Sequence, residues 1–482
     1  MDNQIAAIVL AAGLGTRMRS GRAKVLHELG GEPMLARTLR SVALIDPNPL
    51  AVVVGHQAEQ VASVARAALP DRDVRFALQR EQRGTGDAAR RALDSIPPGF
   101  NGDVLIAYGD MPMLRPATLR GFIDDHRRRR AKLSFISAKI ADPASYGRVV
   151  RDVSGRVRAI VEARDATANE LAIAEINTGI YLAEGNFLRA ALAELRPDNA
   201  QHEFYLTDII AIARRLGIDA HAWIAADANE FAGINSREEL ALMEAQIRHE
   251  INRRLMASGV TMIDPATAYI GPEVEIGPDT TIGPNVQIIG KSRIGAGVVI
   301  EGTAWLRDVS VGDRSHLKLG VRAEQCVIGE DCEIGPFANL REGTYLAGHN
   351  RIGNFVETKK ARVGRGTKAS HLSYLGDTII GDETNVGCGV ITVNYDGYDK
   401  HPTVIGDRCM IGCDTQLVAP VKVGSDVYVA SGTTILRDVP DGALCISRHP
   451  QAVKPGWTDG WRKRHRKPGA ADGKPGQARD GE

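Results

Sequence analysis

The chain has 482 residues, and at about 150 residues per domain this length favours two to three domains. Hydrophobic residues make up 43% of the chain and charged residues 25%, which is ordinary for a globular protein and excludes a disordered or collagen-like chain. The formal net charge of +1 gives no general attraction to nucleic acid or to an anionic membrane.

Neither a membrane span nor a secretory signal is expected. The sequence has no apolar run of about 18 residues, and its first residues lack the basic segment of a signal peptide. All six cysteines lie in the C-terminal third, without the paired CxxC spacing of a zinc site. These observations predict reduced thiols and a cytoplasmic protein.

Residues 1–230 alternate short apolar runs with helical patterns such as Met34–Leu44 and Ala58–Leu69. Runs of this length suit buried parallel strands. They lie at Ala6–Leu10, Ala51–Val54, Val104–Ala107 and Leu133–Ile136, with later runs at Ile176–Leu182 and Ala220–Ile224. The alternation predicts an α/β domain whose sheet carries helices on both faces.

A long linker helix is predicted over residues 231–257. Ser236 and Glu239 have the spacing of a capping box. Apolar residues then recur at helical spacing from Leu240 to Leu255. A helix of this length suits a connection between two domains.

The pattern then changes to a repeat of six residues. An aliphatic residue occupies every sixth position from Ile270 to Leu306, from Ile328 to Ile352 and from Ile405 to Ile435. This period fits neither an α-helix nor a simple hairpin array. It predicts a β-solenoid over residues 258–457, with three short sides per coil and the aliphatic residue pointing inward. The repeats alone do not exclude a solenoid that serves only as a scaffold for assembly.

Four N-terminal motifs carry a resemblance to a known family. They are LAAGLGTRM at residues 10–18 followed by Lys24, QREQRGTG at 79–86, YGD at 108–110 and EINTG at 175–179. The Gly-rich turn is neither a Walker A motif nor a dinucleotide fingerprint. In this order the motifs resemble the sugar-1-phosphate nucleotidyltransferases, and among them the N-acetylglucosamine-1-phosphate uridyltransferase half of the bacterial bifunctional GlmU family. The hexads resemble the hexapeptide-repeat acyltransferases, whose prism is a left-handed parallel β-helix.

The resemblance implies a Rossmann-like nucleotidyltransferase domain that uses UTP. Asp110 and Asn235 would hold Mg²⁺, which offsets charge on the triphosphate and on the departing pyrophosphate. Arg17 and Lys24 would act as catalytic cations on the phosphate oxygens. The implied contacts to UTP and to the sugar nucleotide are Leu10, Ala11, Ala12, Gly13, Lys24, Gln79, Gly84, Thr85, Tyr108, Gly109, Asp110, Gly147, Glu162, Asn177 and Asn235.

Polar residues interrupt the hexads between about Lys359 and His401, and from Thr392 to Ile405 the spacing exceeds two hexads by one residue, which predicts a bulge or loop. The segment resembles the glucosamine-1-phosphate acetyltransferase half of the same family. The resemblance implies that His371 is the general base and that Glu357 orients it. The implied contacts to glucosamine-1-phosphate are Arg341, Lys359, Tyr374 and Asn385. The implied contacts to acetyl-CoA are Cys388, Asn394, Tyr395, Cys413, Ser431 and Arg448.

Four positions depart from the family's pattern. Cys388 and Ser431 each replace an Ala, and Cys413 replaces a Ser. Small replacements are expected to be tolerated if the protein contacts acetyl-CoA through its backbone. If the Ser hydroxyl makes the contact, Cys413 is expected to weaken the acetyl-CoA site. Glu342 replaces a Pro beside Arg341, where a carboxylate is expected to lower phosphate affinity.

The resemblance implies a bifunctional cytoplasmic enzyme of cell-wall precursor synthesis that forms a homotrimer through the β-helix and binds neither nucleic acid nor membrane. Three alternatives stay open: a single-activity nucleotidyltransferase with a regulatory solenoid, a non-catalytic assembly subunit, and an enzyme that uses another nucleotide donor. The basic tail at residues 458–482 is expected to be disordered.

Overall fold

The structure, a computed structural model, describes residues 4–447 and 450–465. The chain forms two compact units, Met1–Asp308 and Val309–Glu482. Arg448 and residues 466–482 of the tail lie outside the described residues, so the acetyl-CoA contact expected of Arg448 has no structural counterpart. Among the helices of the described part of the chain, none is both long enough and apolar enough to cross a membrane.

The first unit begins with a sheet whose seven main strands have the order β11-β7-β10-β6-β1-β4-β5, with β8 and β9 attached at β10. A separate hairpin pairs β2 with β3. The strands are β1 (Ile5–Leu10), β2 (Glu28–Leu29), β3 (Glu32–Pro33), β4 (Leu50–Val54), β5 (Val74–Leu78), β6 (Asp103–Tyr108), β7 (Leu133–Lys139), β8 (Arg148–Arg151), β9 (Val157–Val161), β10 (Glu175–Glu184) and β11 (His221–Ile224).

The sheet is mixed. Strands β1, β4, β5 and β6 run parallel to one another, as the apolar runs of β1, β4 and β6 predict, but β10 is antiparallel to both β6 and β7. Strand β10 is buried along almost its whole length. A strand buried on both faces has no alternating pattern, and an apolar run carries no information about strand direction.

Helices cover both faces of this sheet, which confirms the α/β prediction. On one face Ile8 and Leu10 of β1 pack with residues of α3, α6 and α7. On the other face Ala7 and Val9 pack with residues of α1, α2 and α4. The α-helices are α1 (Met34–Ala43), α2 (Ala58–Ala68), α3 (Thr85–Leu93), α4 (Pro116–Arg129), α5 (Ala168–Leu171), α6 (Gly185–Glu194), α7 (Ile209–Arg215), α8 (Arg237–Ala257) and α9 (Trp457–His465). Short 3-10 helices lie at Thr16–Met18, Lys24–Leu26, Leu206–Asp208 and Ala228–Phe231.

Helix α8 begins with the predicted capping box. The Ser236 hydroxyl accepts a hydrogen bond from the Glu239 backbone N–H at 3.1 Å, and the Glu239 carboxylate accepts from the Ser236 N–H at 3.2 Å. The same carboxylate accepts from the Asn235 N–H at 2.5 Å. The cap therefore also fixes the backbone of Asn235, directly before the helix.

Parallel strands follow α8 at the predicted hexad positions, which confirms the repeat. In the first unit Tyr269 aligns with Gln287, one 18-residue coil later, and Ile270 with Ile288. The aliphatic member of most pairs is buried, as in Ile282 and Ile300. The strands are β12 (Thr261–Met262), β13 (Tyr269–Ile270), β14 (Glu275–Ile276), β15 (Thr281–Ile282), β16 (Gln287–Ile289), β17 (Arg293–Ile294), β18 (Val299–Ile300) and β19 (Trp305–Arg307).

The second unit continues with short parallel strands and two longer ones, β27 and β29. They are β20 (Ser310–Val311), β21 (His316–Leu317), β22 (Arg322–Glu324), β23 (Val327–Ile328), β24 (Glu333–Ile334), β25 (Asn339–Leu340), β26 (Tyr345–Leu346), β27 (Arg351–Lys359), β28 (Arg362–Val363), β29 (Lys368–Gly376), β30 (Thr378–Ile380), β31 (Asn385–Val386), β32 (Ile391–Val393), β33 (Thr403–Ile405), β34 (Met410–Ile411), β35 (Gln416–Val418), β36 (Val421–Val423), β37 (Tyr428–Val429), β38 (Thr434–Ile435) and β39 (Leu444–Cys445).

The coils change length where the hexads break. Arg351 aligns with Lys368, a step of 17 residues, whereas Thr378 aligns with Thr403, a step of 25. The additional residues form a loop after Asn394, in which Tyr395 pairs with Lys400 in an antiparallel bridge. This loop confirms the irregularity predicted from the spacing.

The prediction of a disordered tail is wrong for its first residues, because Trp457–His465 forms helix α9. Trp457 and Trp461 stack at 6.4 Å between ring centroids, and Trp461 stacks on His465 at 4.7 Å. Rings at i and i+4 lie on one face of a helix. The stacked rings therefore cover one face of α9.

Candidate active sites

A cavity of about 230 Å³ opens at the carboxyl ends of strands β1, β5 and β6. Ligands of open α/β sheets bind at this edge. The predicted nucleotide contacts that line it are Leu10, Ala11, Ala12, Gly13, Lys24, Gln79, Gly84, Thr85, Tyr108 and Asp110. The backbone N–H of Gly109 donates to Leu10 O at 2.9 Å, which joins the ends of β6 and β1.

Lys24, Asp110 and Asn235 meet at the edge of this cavity. The Lys24 ammonium donates to Asp110 Oδ2 in a short contact and to Asn235 Oδ1 at 3.0 Å. The backbone N–H of Ile234 donates to the Asp110 carbonyl oxygen at 3.4 Å, which helps hold the loop before α8 against the strand end. Two oxygens from distant parts of the chain thus converge on one cation.

The Gly-rich turn brings its backbone close to Lys24. Gly15 has φ +63°, and a Cβ atom there would lie 2.6 Å from the Cβ of Lys24. Only glycine satisfies both the left-handed backbone and the close approach. Arg17 follows on the surface and lines a neighbouring cavity with Glu162. In residues 4–447 and 450–465, no ion pair engages Arg17.

The amide of Gln79 is held in one orientation. Its Nε2 donates to Gly84 O at 3.1 Å and to Asp87 Oδ2 at 2.9 Å. Both partners only accept hydrogen bonds, which fixes the assignment of the amide nitrogen. Burial acts to raise the pKa of Asp87, but hydrogen bonds from Gln79, Arg91 and Arg90 hold it below its usual value. The Gln79 side chain therefore presents its oxygen as the remaining acceptor.

The three residues expected to bind the sugar also lie together. The Asn177 N–H donates to Gly147 O at 2.8 Å, and a Cβ atom on Gly147 would lie 3.5 Å from the Glu162 carboxylate. Burial, reinforced by Asp165, raises the pKa of Glu162, although the Thr207 hydroxyl donates to it at 3.4 Å. Burial and the charge of Glu162 likewise raise the pKa of Tyr108.

Sequence reasoning missed several residues of these cavities. Val25, Gln82, Ala88 and Glu203 line the first cavity, and Gln201 lines the second. Gln82 lies within the QREQRGTG motif, which offered a signal. Glu203 and Gln201 lie in a segment without regular periodicity, whose approach to Gly84 depends on the tertiary fold.

In the second unit Arg341 and Lys359 end neighbouring strands, since Leu340 aligns with Thr358. Each cation has a carboxylate partner. Arg341 Nη1 donates to Glu357 Oε1 at 2.8 Å, and Lys359 Nζ lies 3.1 Å from Glu342 Oε1. Tyr374 aligns with Glu357 one coil further on. Lys400, which the sequence did not single out, lies beside Lys359.

The expected contact between Glu357 and His371 is absent from the chain as described. The strand register places Asn354, not Glu357, opposite His371, while Glu357 accepts from Arg341. His371 is exposed, and no hydrogen bond among the described residues involves its ring. Glu357 lies three residues after Asn354 along the strand. The sequence does not show this register, because the hexad repeat is broken in this segment.

His371 occupies the same position in its coil as three predicted acetyl-CoA contacts do in the following coils. The register advances by 17 residues from Lys368 to Asn385, then by 25 to Met410 and by 18 to Tyr428. The same steps lead from His371 through Cys388 and Cys413 to Ser431. Asp414 N donates to Cys388 O at 2.7 Å and Gly432 N to Cys413 O at 2.8 Å, which links consecutive turns. All four side chains are exposed.

The remaining predicted contacts differ in their surroundings. Asn394 is buried and its Nδ2 donates to Asp377 Oδ2 at 2.6 Å. The Tyr395 hydroxyl is exposed and donates to Gly397 O at 2.7 Å. Asn385 aligns with Lys368, at the start of β29, whereas Tyr374 lies near its end. Two sides of the solenoid thus carry the residues expected around a single ligand.

Comparison with known proteins accounts for both halves of the chain. Residues 7–175 match the MobA-like NTP transferase domain, residues 260–349 the GMPPB C-terminal domain, and residues 402–437 the bacterial transferase hexapeptide (six repeats). The bifunctional protein GlmU of Pelobacter propionicus is 47% identical over 457 residues, which cover 95% of this chain and 98% of that protein. The chain belongs to the bifunctional GlmU family.

Other GlmU proteins show the same coverage. That of Geotalea uraniireducens is 48% identical over 94% of this chain and 99% of its own length, and that of Kineococcus radiotolerans is 43% identical over 94% and 91%. Membership in the GlmU family confirms a bifunctional transferase with uridyltransferase and acetyltransferase activities and a role in cell-wall precursor synthesis. Its substrates are small molecules, among them a nucleoside triphosphate and acetyl-CoA. The non-catalytic and single-activity alternatives lose their support.

Proposed function

We propose that the C-terminal transferase moves the acetyl group of acetyl-CoA to glucosamine-1-phosphate and that the N-terminal transferase then couples the product to UTP, giving UDP-N-acetylglucosamine and pyrophosphate. The observation that supports the second step most strongly is the convergence of Lys24, Asp110 and Asn235 beside the nucleotide cavity. Both reactions would take place in the cytoplasm.

The residues present fit a magnesium ion. Carboxylate and amide oxygens are the ligands that Mg²⁺ takes from proteins, and Asp110 Oδ2 and Asn235 Oδ1 already converge on the Lys24 ammonium. Asp110 and Asn235 would hold the ion. When bound, Mg²⁺ offsets negative charge on the triphosphate and on the departing pyrophosphate.

Uridyl transfer needs no covalent intermediate on the chain. A phosphate oxygen of N-acetylglucosamine-1-phosphate attacks the α-phosphorus of UTP while the bond to pyrophosphate breaks. Arg17 and Lys24 stabilise the charge on the phosphate oxygens, and the Gly-rich turn lets backbone N–H groups approach them. Gly147, Glu162 and Asn177 hold the sugar in line with the phosphorus, so positioning supplies much of the rate.

Gln79 favours uracil over cytosine. Its amide oxygen is the free acceptor, because Nε2 already donates to Gly84 and Asp87. Uracil offers an N3–H donor to that oxygen, whereas N3 of cytosine is an acceptor and would leave the Gln79 oxygen unpaired. Thymine offers the same donor as uracil, so Gln79 alone does not distinguish UTP from a thymidine nucleotide.

In acetyl transfer His371 acts as the general base. Its exposed imidazole takes a proton from the amine of glucosamine-1-phosphate while the amine nitrogen attacks the thioester carbon. The C–S bond breaks, and the imidazolium returns the proton to the sulfur, so that CoA leaves as a thiol. Arg341 and Lys359 bind the phosphate, and Asn394 and Tyr395 face the thioester. Direct attack by the amine requires no acyl-cysteine, so Cys388 and Cys413 need only leave room for the pantetheine arm.

The division of the predicted contacts between two sides of the solenoid supports a homotrimer. Side chains on adjacent sides of a convex prism diverge from their shared corner, where His371 lies. Lys359 aligns with Gly376 at the end of β29, whereas Asn385 aligns with Lys368 at its start. A site formed where a second copy packs against this corner would bring both sides together, and an acid from that copy could then orient His371.

Replacing Asp110 tests the proposed metal ligand. Asp110→Ala is expected to lower uridyl transfer by about 100-fold or more, since loss of charge stabilisation worth several kcal/mol corresponds to such a factor, and to leave acetyl transfer intact. Pyrophosphate release from UTP and N-acetylglucosamine-1-phosphate measures the effect, with Asp124→Ala at an exposed position of α4 as control. Loss of both activities in a folded protein would contradict two independent sites.

Replacing His371 tests the general base. His371→Ala is expected to slow acetyl transfer by about 10²- to 10⁴-fold, the usual contribution of such a base, while uridyl transfer persists. Release of the CoA thiol measures acetyl transfer. His349→Ala, at an exposed histidine of another turn, is the control. Acetyl transfer above about a tenth of the original rate would show that another group takes the proton.

Replacing Asp87 tests the orientation of Gln79. In Asp87→Asn the new amide can donate to the Gln79 oxygen, so the Gln79 amide can rotate and present Nε2 to the base. The preference for UTP over CTP in kcat/KM is expected to fall by about tenfold or more, because an unpaired buried group is costly. Arg91→Gln, which removes an ion-pair partner of Asp87 only, should retain the preference. An unchanged preference in folded Asp87→Asn would show that the Asp87 carboxylate does not set the orientation of Gln79.

A further inference from the structure

Glu342 lies between the two cations that we assign to the sugar phosphate. Its Oε1 lies 3.1 Å from Lys359 Nζ, and its Oε2 lies 3.7 Å from Arg341 Nε. The carboxylate is therefore shared by both cations, one oxygen to each. A phosphate has the same charge sign and a similar spread of oxygens.

The backbone holds Glu342 in this position. It lies in the turn after β25, and its carbonyl oxygen accepts from the Lys360 N–H at 2.9 Å. The Arg341 N–H donates to Thr358 O at 2.9 Å in the neighbouring coil. These bonds join the two neighbouring coils that carry Arg341, Glu342 and Lys359. The backbone therefore places the carboxylate next to both cations.

The charges at this turn compensate each other without a substrate. Arg341 pairs with Glu357 and Lys359 with Glu342. Hydrogen bonding to Lys359 lowers the pKa of Glu342, and hydrogen bonding to Glu342 raises the pKa of Lys359. The pair is ionised at neutral pH, and Lys400 is the further cation beside it.

We propose that Glu342 is an internal competitor of the substrate phosphate: it occupies Arg341 and Lys359 in the free enzyme and must move aside before glucosamine-1-phosphate binds. The inference rests on the acetyltransferase function proposed above. It makes Glu342 a determinant of substrate affinity in this chain, where the family pattern has a Pro that carries no charge.

Two substitutions at this position separate charge from shape. Glu342→Gln keeps the length of the side chain and removes its charge. Glu342→Pro removes the side chain's reach as well. In the described part of the chain the backbone N–H of Glu342 donates to its own carboxylate and to no other residue, so a Pro forfeits no bond to a neighbour. Asp426→Asn is the matched control, because it removes one carboxylate from the exposed Arg408–Asp426 pair in a different stack of turns.

The measurement is the KM for glucosamine-1-phosphate in acetyl transfer by the full chain, at low and high salt. Both Glu342 variants are expected to lower it about 1.5-fold to fivefold at low salt, the range for a partly exposed charge pair. The difference from the unsubstituted chain should shrink at about 1 M salt, where the screening length is about 3 Å. Asp426→Asn should leave the KM unchanged.

A KM that stays the same or rises in Glu342→Gln would overturn the proposal, because Glu342 would then position the cations rather than compete for them. Calorimetric titration with glucosamine-1-phosphate gives a second readout that needs no turnover. If the unsubstituted chain acetylates nothing, the proposed function fails, while tighter binding to Glu342→Gln in that titration would still support competition and equal or weaker binding would still oppose it.

Discussion

Three of the four cations assigned to phosphate binding are already paired with carboxylates of the chain. Lys24 contacts Asp110, Arg341 contacts Glu357, and Lys359 contacts Glu342. Buried or half-buried ammonium and guanidinium groups need such partners when no anion is bound. We infer that a phosphate has to compete with these carboxylates for its cations, whereas Arg17, the fourth of these cations, has no ion-pair partner among the described residues.

The two halves achieve this pairing by different means. In the N-terminal sheet, strand ends and the loop before α8 bring together residues more than 200 positions apart, as with Lys24 and Asn235. In the solenoid, stacking of coils brings together residues 16 to 25 positions apart. The coil register therefore decides which side chains meet. A single step of 17 rather than 18 residues at β27 and β29 sets Asn354 opposite His371.

The repeat could be predicted from the sequence because an inward aliphatic residue every six positions is a strong local signal, and the short apolar runs likewise predicted β1, β4, β6 and β7. The antiparallel direction of β10 could not, since its residues are buried on both faces. The motifs indicated Asp110 and Asn235, and the structure adds that Lys24 contacts both. The resemblance implies that Glu357 lies beside His371, whereas in the structure Glu357 pairs with Arg341. The alignment of the coils decides this pairing, and the broken hexads do not reveal that alignment.

The central claim is that one chain carries out both steps in sequence. The most direct test supplies the purified full-length chain with glucosamine-1-phosphate, acetyl-CoA, UTP and Mg²⁺, and follows the CoA thiol and pyrophosphate separately. The account predicts that both appear and that pyrophosphate release depends on acetyl-CoA. If CoA stays acylated while added N-acetylglucosamine-1-phosphate still yields pyrophosphate, the solenoid is a scaffold and the claim is wrong.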